Sequence, residues 1–159
     1  MNQINTDSHA TQDNVLTITR LFNAPRDLVF SVWTDLNHLL SWWGPIQFPV
    51  NEMTMDIRPG GQWRACLKAV DDGRELWQQG VFREVVKPEK LVFTFAWQAG
   101  GERDMETLIT IHFEDLDTQT LMIFHQTPFQ SVAKRDGHQH GWSGTFDRLD
   151  AFLANHTNS

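Results

Sequence analysis

Tyrosine is absent from this chain, cysteine occurs once, and no apolar stretch approaches the roughly 18 residues that a membrane-spanning helix requires. The lone Cys66 has no second thiol to pair with, so no internal disulfide staples the fold. That fits a reducing compartment, the cytoplasm. Positive charge is scarce as well: 13 Lys and Arg against 20 Asp and Glu leave a formal net charge of −7. Binding to phosphates needs clustered Lys and Arg, which the sequence lacks, so neither nucleic acid nor membrane insertion is expected. Repeats, heptads and low-complexity segments are missing too, which excludes solenoids and coiled coils. The polar lead, residues 1–14, has no signal-peptide apolar region and is expected to be disordered, as are the last residues from His156 to Ser159. What remains, residues 15–155, is one domain. A chain of 159 residues buries roughly 68–70% of its unfolded surface, enough to fold without a metal or disulfide.

The strongest pattern present lies near the C-terminus. Trp142, Phe146, Leu149 and Leu153 recur at helical spacing and form one apolar stripe, with Asp147, Arg148 and Asp150 pointing elsewhere. A first strand is expected over Val15 to Phe22. Pro25 then opens a helix with apolar positions Leu28, Val29, Val32 and Trp33, and Asp35 is placed to cap a second over Leu36 to Trp42, stopped by Gly44-Pro45. Beyond Pro49 the turn signals Arg58-Pro59-Gly60-Gly61, Asp71-Asp72-Gly73, Lys87-Pro88-Glu89, Ala99-Gly100-Gly101 and Asp115-Leu116-Asp117 divide the chain into strands of a β-meander. The fold class is therefore α+β: about seven antiparallel strands, two short helices after the first, and one long helix covering the sheet. Such a geometry tends to leave a cavity between sheet and helix.

Strand alternation indicates which side chains face that cavity. Trp63, Ala65, Leu67 and Ala69 share one face, and Leu91, Phe93, Phe95 and Trp97 share another. His125 alternates with Leu121 and Ile123, which makes it a candidate interior polar group, and His138 precedes Trp142 by one helical turn. Gly141 and Gly144 flank Trp142 and are expected to let the helix approach a neighbouring element closely. The seven tryptophans supply large aromatic walls of the kind that suit flat apolar ligands. Trp63, Trp77, Phe95, Trp97, His125, His138 and Trp142 are expected to line the cavity, with Trp42 and Trp43 at its mouth. No catalytic residue is assigned. His138 and His140 lie about 200° apart on a helix, and no third ligand has zinc spacing, so neither a metal nor another cofactor is expected.

Four motifs in order sharpen this reading: Arg20-Leu21-Phe22-Asn23-Ala24-Pro25-Arg26, Trp42-Trp43-Gly44-Pro45, Arg58-Pro59-Gly60-Gly61-Gln62-Trp63-Arg64 and His140-Gly141-Trp142 followed by Leu149. They resemble the activator of Hsp90 ATPase homologue-like family within the START-related polyketide cyclase superfamily, over about residues 15–155. The resemblance implies a helix-grip fold, a curved sheet around the C-terminal helix with a hydrophobic cavity between them. It also implies a small hydrophobic or amphipathic molecule as partner. The eukaryotic co-chaperones of the family carry a further N-terminal domain that a 14-residue polar lead cannot form, so a stand-alone cavity protein is expected. Two alternatives stay open: a cyclase or hydrolase using His125, His138, Glu84 and Glu106 for proton transfer, and an Hsp90-type chaperone-interacting module.

Overall fold

The computed structural model describes residues 14–99, 102–103 and 105–157. The lead expected to be disordered therefore lies, apart from Asn14, outside the described residues. The elements run β1 (Leu16–Phe22), α1 (Arg26–Thr34), α2 (Leu36–Trp42), β2 (Val50–Met55), β3 (Gln62–Lys68), β4 (Glu75–Val86), β5 (Lys90–Ala99), β6 (Glu102–Arg103), β7 (Thr107–Leu116), β8 (Gln119–Thr127) and α3 (Val132–Thr157). Local chemistry explains the helix starts. Pro25 precedes the first turn of α1, its carbonyl accepting from Leu28 and Val29, and the Asp35 carboxylate accepts from the Asn37 N–H at 2.9 Å. The Ser131 hydroxyl likewise accepts from the Lys134 N–H at 3.1 Å, so α3 begins ten residues before its apolar stripe and ends at Thr157. His156, expected in a disordered tail, is helical.

The strands form one antiparallel sheet in the order β1-β8-β7-β5-β4-β3-β2, with the two-residue β6 beside β5. The first strand pairs with the last, from Leu16 opposite Gln126 to Phe22 opposite Thr120. The segment holding α1 and α2 must therefore cross from one sheet edge to the other before β2 begins. It closes one end of the space between sheet and α3. The stripe of α3 is buried there: Trp142, Phe146, Leu149 and Leu153 are each at most 6% exposed, and each buried side chain contributes about 1.5–3 kcal/mol.

One irregularity shapes the middle of the sheet. The β4–β5 register shifts between Phe82 and Glu84. Upstream of the shift, the Val81 N–H donates to the Thr94 hydroxyl at 2.8 Å, and the Thr94 carbonyl accepts from the Trp63 indole at 3.0 Å. The indole crosses β4 to reach it by lying over Gly80. A Cβ there would collide with both the indole nitrogen and the Thr94 carbonyl.

Where both faces of a strand are apolar, alternation alone does not fix orientation. On β8, flanked by β1 and β7, Met122, Phe124 and Gln126 are the residues that turn inward and are fully buried, leaving His125 on the outer face with Leu121 and Ile123. The interior polar group is thus Gln126. Its carboxamide oxygen accepts from the Trp142 indole at 2.8 Å, its nitrogen donates to the Thr107 hydroxyl at 2.9 Å, and that hydroxyl donates to the Phe95 carbonyl at 3.2 Å.

Cys66 is fully buried on the outer side of β3. Burial, with Glu75 and Glu52 nearby, pushes its thiol pKa up, so it behaves as a small apolar side chain. Replacing Gln126 by Leu leaves the Trp142 N–H without an acceptor and the Thr107 hydroxyl without a donor. We expect Gln126→Leu to lose about 2–3 kcal/mol in urea unfolding at an unchanged slope.

Candidate functional site

Three segments enclose a partly open recess of about 270 Å³: the inner faces of β3, β4 and β5, the turn after α2, and the first half of α3. Its floor is set by buried side chains, Trp43, Leu67, Phe95, Trp142 and Thr145, and its rim by the partly exposed Pro45, Phe48, Leu76, Trp97 and His138. Gln78 is 5% exposed and also lines it. Trp43 and Trp142 meet edge to face at 5.4 Å, and Phe95 lies 5.5 Å from both Trp97 and His138, so the walls are aromatic planes at steep angles.

Of the residues expected to line the cavity, the fold brings together Phe95, Trp97, His138 and Trp142, with Trp43 on the floor instead of at the mouth. The other four lie elsewhere. Trp42 is fully buried beneath α1, its indole donating to the Val32 carbonyl at 3.0 Å and packing on Trp33 at 4.8 Å. Trp63 faces inward but is held over Gly80, between Trp43 and Phe93. Trp77 is on the outer face, opposite Cys66, with the Arg64 guanidinium 4.0 Å from its ring centre. Alternation on β4 requires this, because the inward positions are those of Leu76 and Gln78, where Gln78 meets Trp43, and Gly80, where Trp63 passes. His125 is on the outer face as described above, where burial first and His112 second lower its pKa.

The residues missed left some signal. Leu67 was already on the inward face by alternation, and the same reasoning on β4 yields Leu76 and Gln78. Nothing in the sequence singles out Phe48 or Thr145. Gly144 makes the close approach expected of it, since a Cβ there would lie 3.3 Å from Pro45 Cβ. Gly141 does not: a Cβ there would meet nothing within 4 Å, because the recess lies in front of it, and the same holds at Gly137.

Polar groups on the walls are mostly paired. The Trp43 indole donates to Gln78 Oε1 at 2.9 Å, the Trp97 indole donates to His138 Nε2 at 3.1 Å, and the Thr145 hydroxyl donates to the Gly141 carbonyl at 2.9 Å. Since an indole only donates, His138 accepts through Nε2. Glu84 and Glu106 are exposed, Glu84 in an ion pair with Lys90 at 3.2 Å. Among the described residues, no carboxylate and no second histidine lines the recess, and none forms a metal-binding cluster.

The turn Trp42-Trp43-Gly44-Pro45 is fastened to α3 by Arg148. Its guanidinium donates to the carbonyls of Ser41 at 3.1 Å, Trp43 at 3.2 Å and Gly44 at 2.8 Å, occupying the acceptors left at the C-terminus of α2. Burial lowers its pKa from the ordinary value. Gly44 itself has φ +90°, and a Cβ there would strike the Phe48 carbonyl.

With sheet, grip helix and connecting turn in place, comparison with known families is specific. The family model described as Activator of Hsp90 ATPase homolog 1-like protein matches residues 23–154. The chain belongs to this family. Solved structures similar to it include the AHSA1 protein from Silicibacter pomeroyi, at TM-score 0.82 and 23% identity over 89% of this chain and 99% of that one. A protein from Arthrobacter aurescens gives TM-score 0.81 and 22% identity over 96% of this chain and 91% of that one. One from Nitrosomonas europaea gives 0.77 and 20% over 93% and 99%. At these identities the likeness shows the shared helix-grip fold. A comparison with curated proteins finds no match. Among the described residues of this AHSA1-family chain, no helix is long and apolar enough to cross a membrane.

Two outcomes follow from the geometry of this family member. Arg148→Ala should lower unfolding free energy by about 1.5–3 kcal/mol and speed amide exchange over Gly44 to Phe48, read by hydrogen–deuterium exchange. His125 binds its proton less readily folded than unfolded, so stability is full at neutral pH and declines as pH falls through the ordinary histidine value near 6.5. His125→Gln should flatten that decline in thermal melts between pH 7.5 and 5.5.

Proposed function

We propose that this chain binds a small, flat, apolar molecule in the recess between β3–β5 and α3. One observation carries the reading: Gly137 and Gly141, one turn apart inside a 26-residue helix, face open space. Each glycine weakens a helix interior by about 0.5–1 kcal/mol relative to alanine. Close packing, the usual compensation, is missing at both. What they provide is room beside the aromatic walls of Phe95, Trp97 and Trp142. A buried cavity of about 150 Å³ accepts benzene, so about 270 Å³ accommodates on the order of ten non-hydrogen atoms, the size of a bicyclic aromatic. At roughly 0.7 kcal/mol per atom the dissociation constant falls on the order of 10 μM.

Proton-transfer catalysis finds little support, because of His125, His138, Glu84 and Glu106 only His138 borders the recess. The chaperone-module reading rests on the family's description alone.

The test is titration with naphthalene, followed by NMR of the seven indole N–H signals. Shifts at Trp43, Trp97 and Trp142, with Trp77 unmoved, are expected; shifts elsewhere or none would refute the reading. Gly141→Leu should abolish binding by filling the space, whereas Gly141→Ala should raise stability by about 0.5–1 kcal/mol.

A further inference from the structure

The indole and hydroxyl donors on the walls are committed within the protein, so what the recess offers a ligand depends on the groups left over. Trp43, Trp97 and Trp142 donate to Gln78, His138 and Gln126, and Thr145 donates to Gly141. These residues present ring faces, ring edges and a hydroxyl oxygen. Gln78 differs. The Trp43 indole can only donate, so the Gln78 atom 2.9 Å from it must be the carboxamide oxygen, which fixes the orientation of the whole amide. The remaining polar atom of this 5%-exposed side chain is Nε2, a double donor, and no described residue accepts from it. Nε2 is not sealed from solvent, so a ligand that fills the recess removes it from water, which is unfavourable unless that ligand supplies an acceptor.

Charge narrows the class further. No Asp, Glu, Lys or Arg lines the recess among the described residues, and the nearby Arg148 spends its hydrogen bonds on three carbonyls of the α2 turn. His138 accepts from the Trp97 indole through Nε2 and in that arrangement is uncharged, so an ionised carboxylate, phosphate or ammonium would lose its hydration in the recess without a lining counter-charge.

Resting on the reading above, we infer that the ligand class is an uncharged bicyclic aromatic carrying one hydrogen-bond acceptor, such as a ketone oxygen, and that Gln78 Nε2 donates to that acceptor. Gln78 is then the specificity-determining residue of the recess. It discriminates a carbonyl compound from the hydrocarbon of the same shape, while the aromatic walls bind both.

The experiment compares 1-tetralone, tetralin and tetralin-1-carboxylate by tryptophan fluorescence and calorimetry on the full chain. For the unaltered protein, 1-tetralone should bind about fivefold more tightly than tetralin, the ratio one neutral hydrogen bond supplies, and the carboxylate more weakly than either. Gln78→Glu keeps an oxygen for the Trp43 indole but removes the donor. Ionised, it should bring the tetralone-to-tetralin ratio to unity or below. Gln78→Met, which removes the donor without adding charge, should also abolish the preference, with near-ultraviolet circular dichroism confirming an intact aromatic core. Equal binding of tetralone and tetralin by the unaltered protein, or a preference that survives both substitutions, overturns the inference while leaving ligand binding standing. If neither compound binds, both readings fall together.

Discussion

A tryptophan indole cannot be buried cheaply unless its N–H finds an acceptor, and in this molecule the indole of the grip helix finds one on the sheet. Trp142 donates to Gln126 on β8, Gln126 donates to Thr107 on β7, and Thr107 donates to the Phe95 carbonyl on β5. That buried chain ties α3 to three strands in directional steps, where apolar packing alone would tolerate sliding and rotation. With the helix held at this height and angle, Phe146, Leu149 and Leu153 fill the space on one side. The half that precedes Trp142 overhangs the sheet on the other. The recess is a consequence of where the helix is pinned.

The second fixture lies further along the same helix. Arg148 lies within two turns of Trp142 and holds the carbonyls of the α2 turn, while Gly144 lets Pro45 come against the helix backbone. The segment that carries α1 and α2 across from β1 to β2 is thereby converted into a wall. Trp43 stands on that wall and is itself anchored to Gln78 on β4, so turn, helix and sheet close a triangle around the recess.

Much of this architecture was legible from residue order. Proline and aspartate marked both short helices, the turn signals separated the strands, and a single apolar stripe announced the helix that covers them. Side-chain placement was legible only where one strand face was clearly polar. Trp63 and Leu67 were placed inward because Gln62, Arg64 and Lys68 alternate with them; His125 was misplaced because β8 is apolar on both faces there, and Trp77 because β4 carries a glutamine among apolar residues on each face. The determining information in those strands is non-local. Trp77 points outward because Gly80 and Gln78 must point inward, and these must do so because Trp63 and Trp43, distant in sequence, need an open path and an acceptor. Helical glycines mislead in a similar way: Gly144 and Gly141 look alike in the sequence, yet one meets proline and the other meets empty space.

That difference makes positions 137 and 141 a gauge. Because neither Cβ would touch anything, the backbone of α3 imposes no limit on what side chain stands there, and the depth of the recess is set by those two side chains with the scaffold unaltered. Relatives sharing this fold can therefore be sorted on sight by their residues at the corresponding places. Glycine at both marks a recess as open as this one, alanine one narrowed along the helix, and leucine or larger a space already occupied by the protein itself.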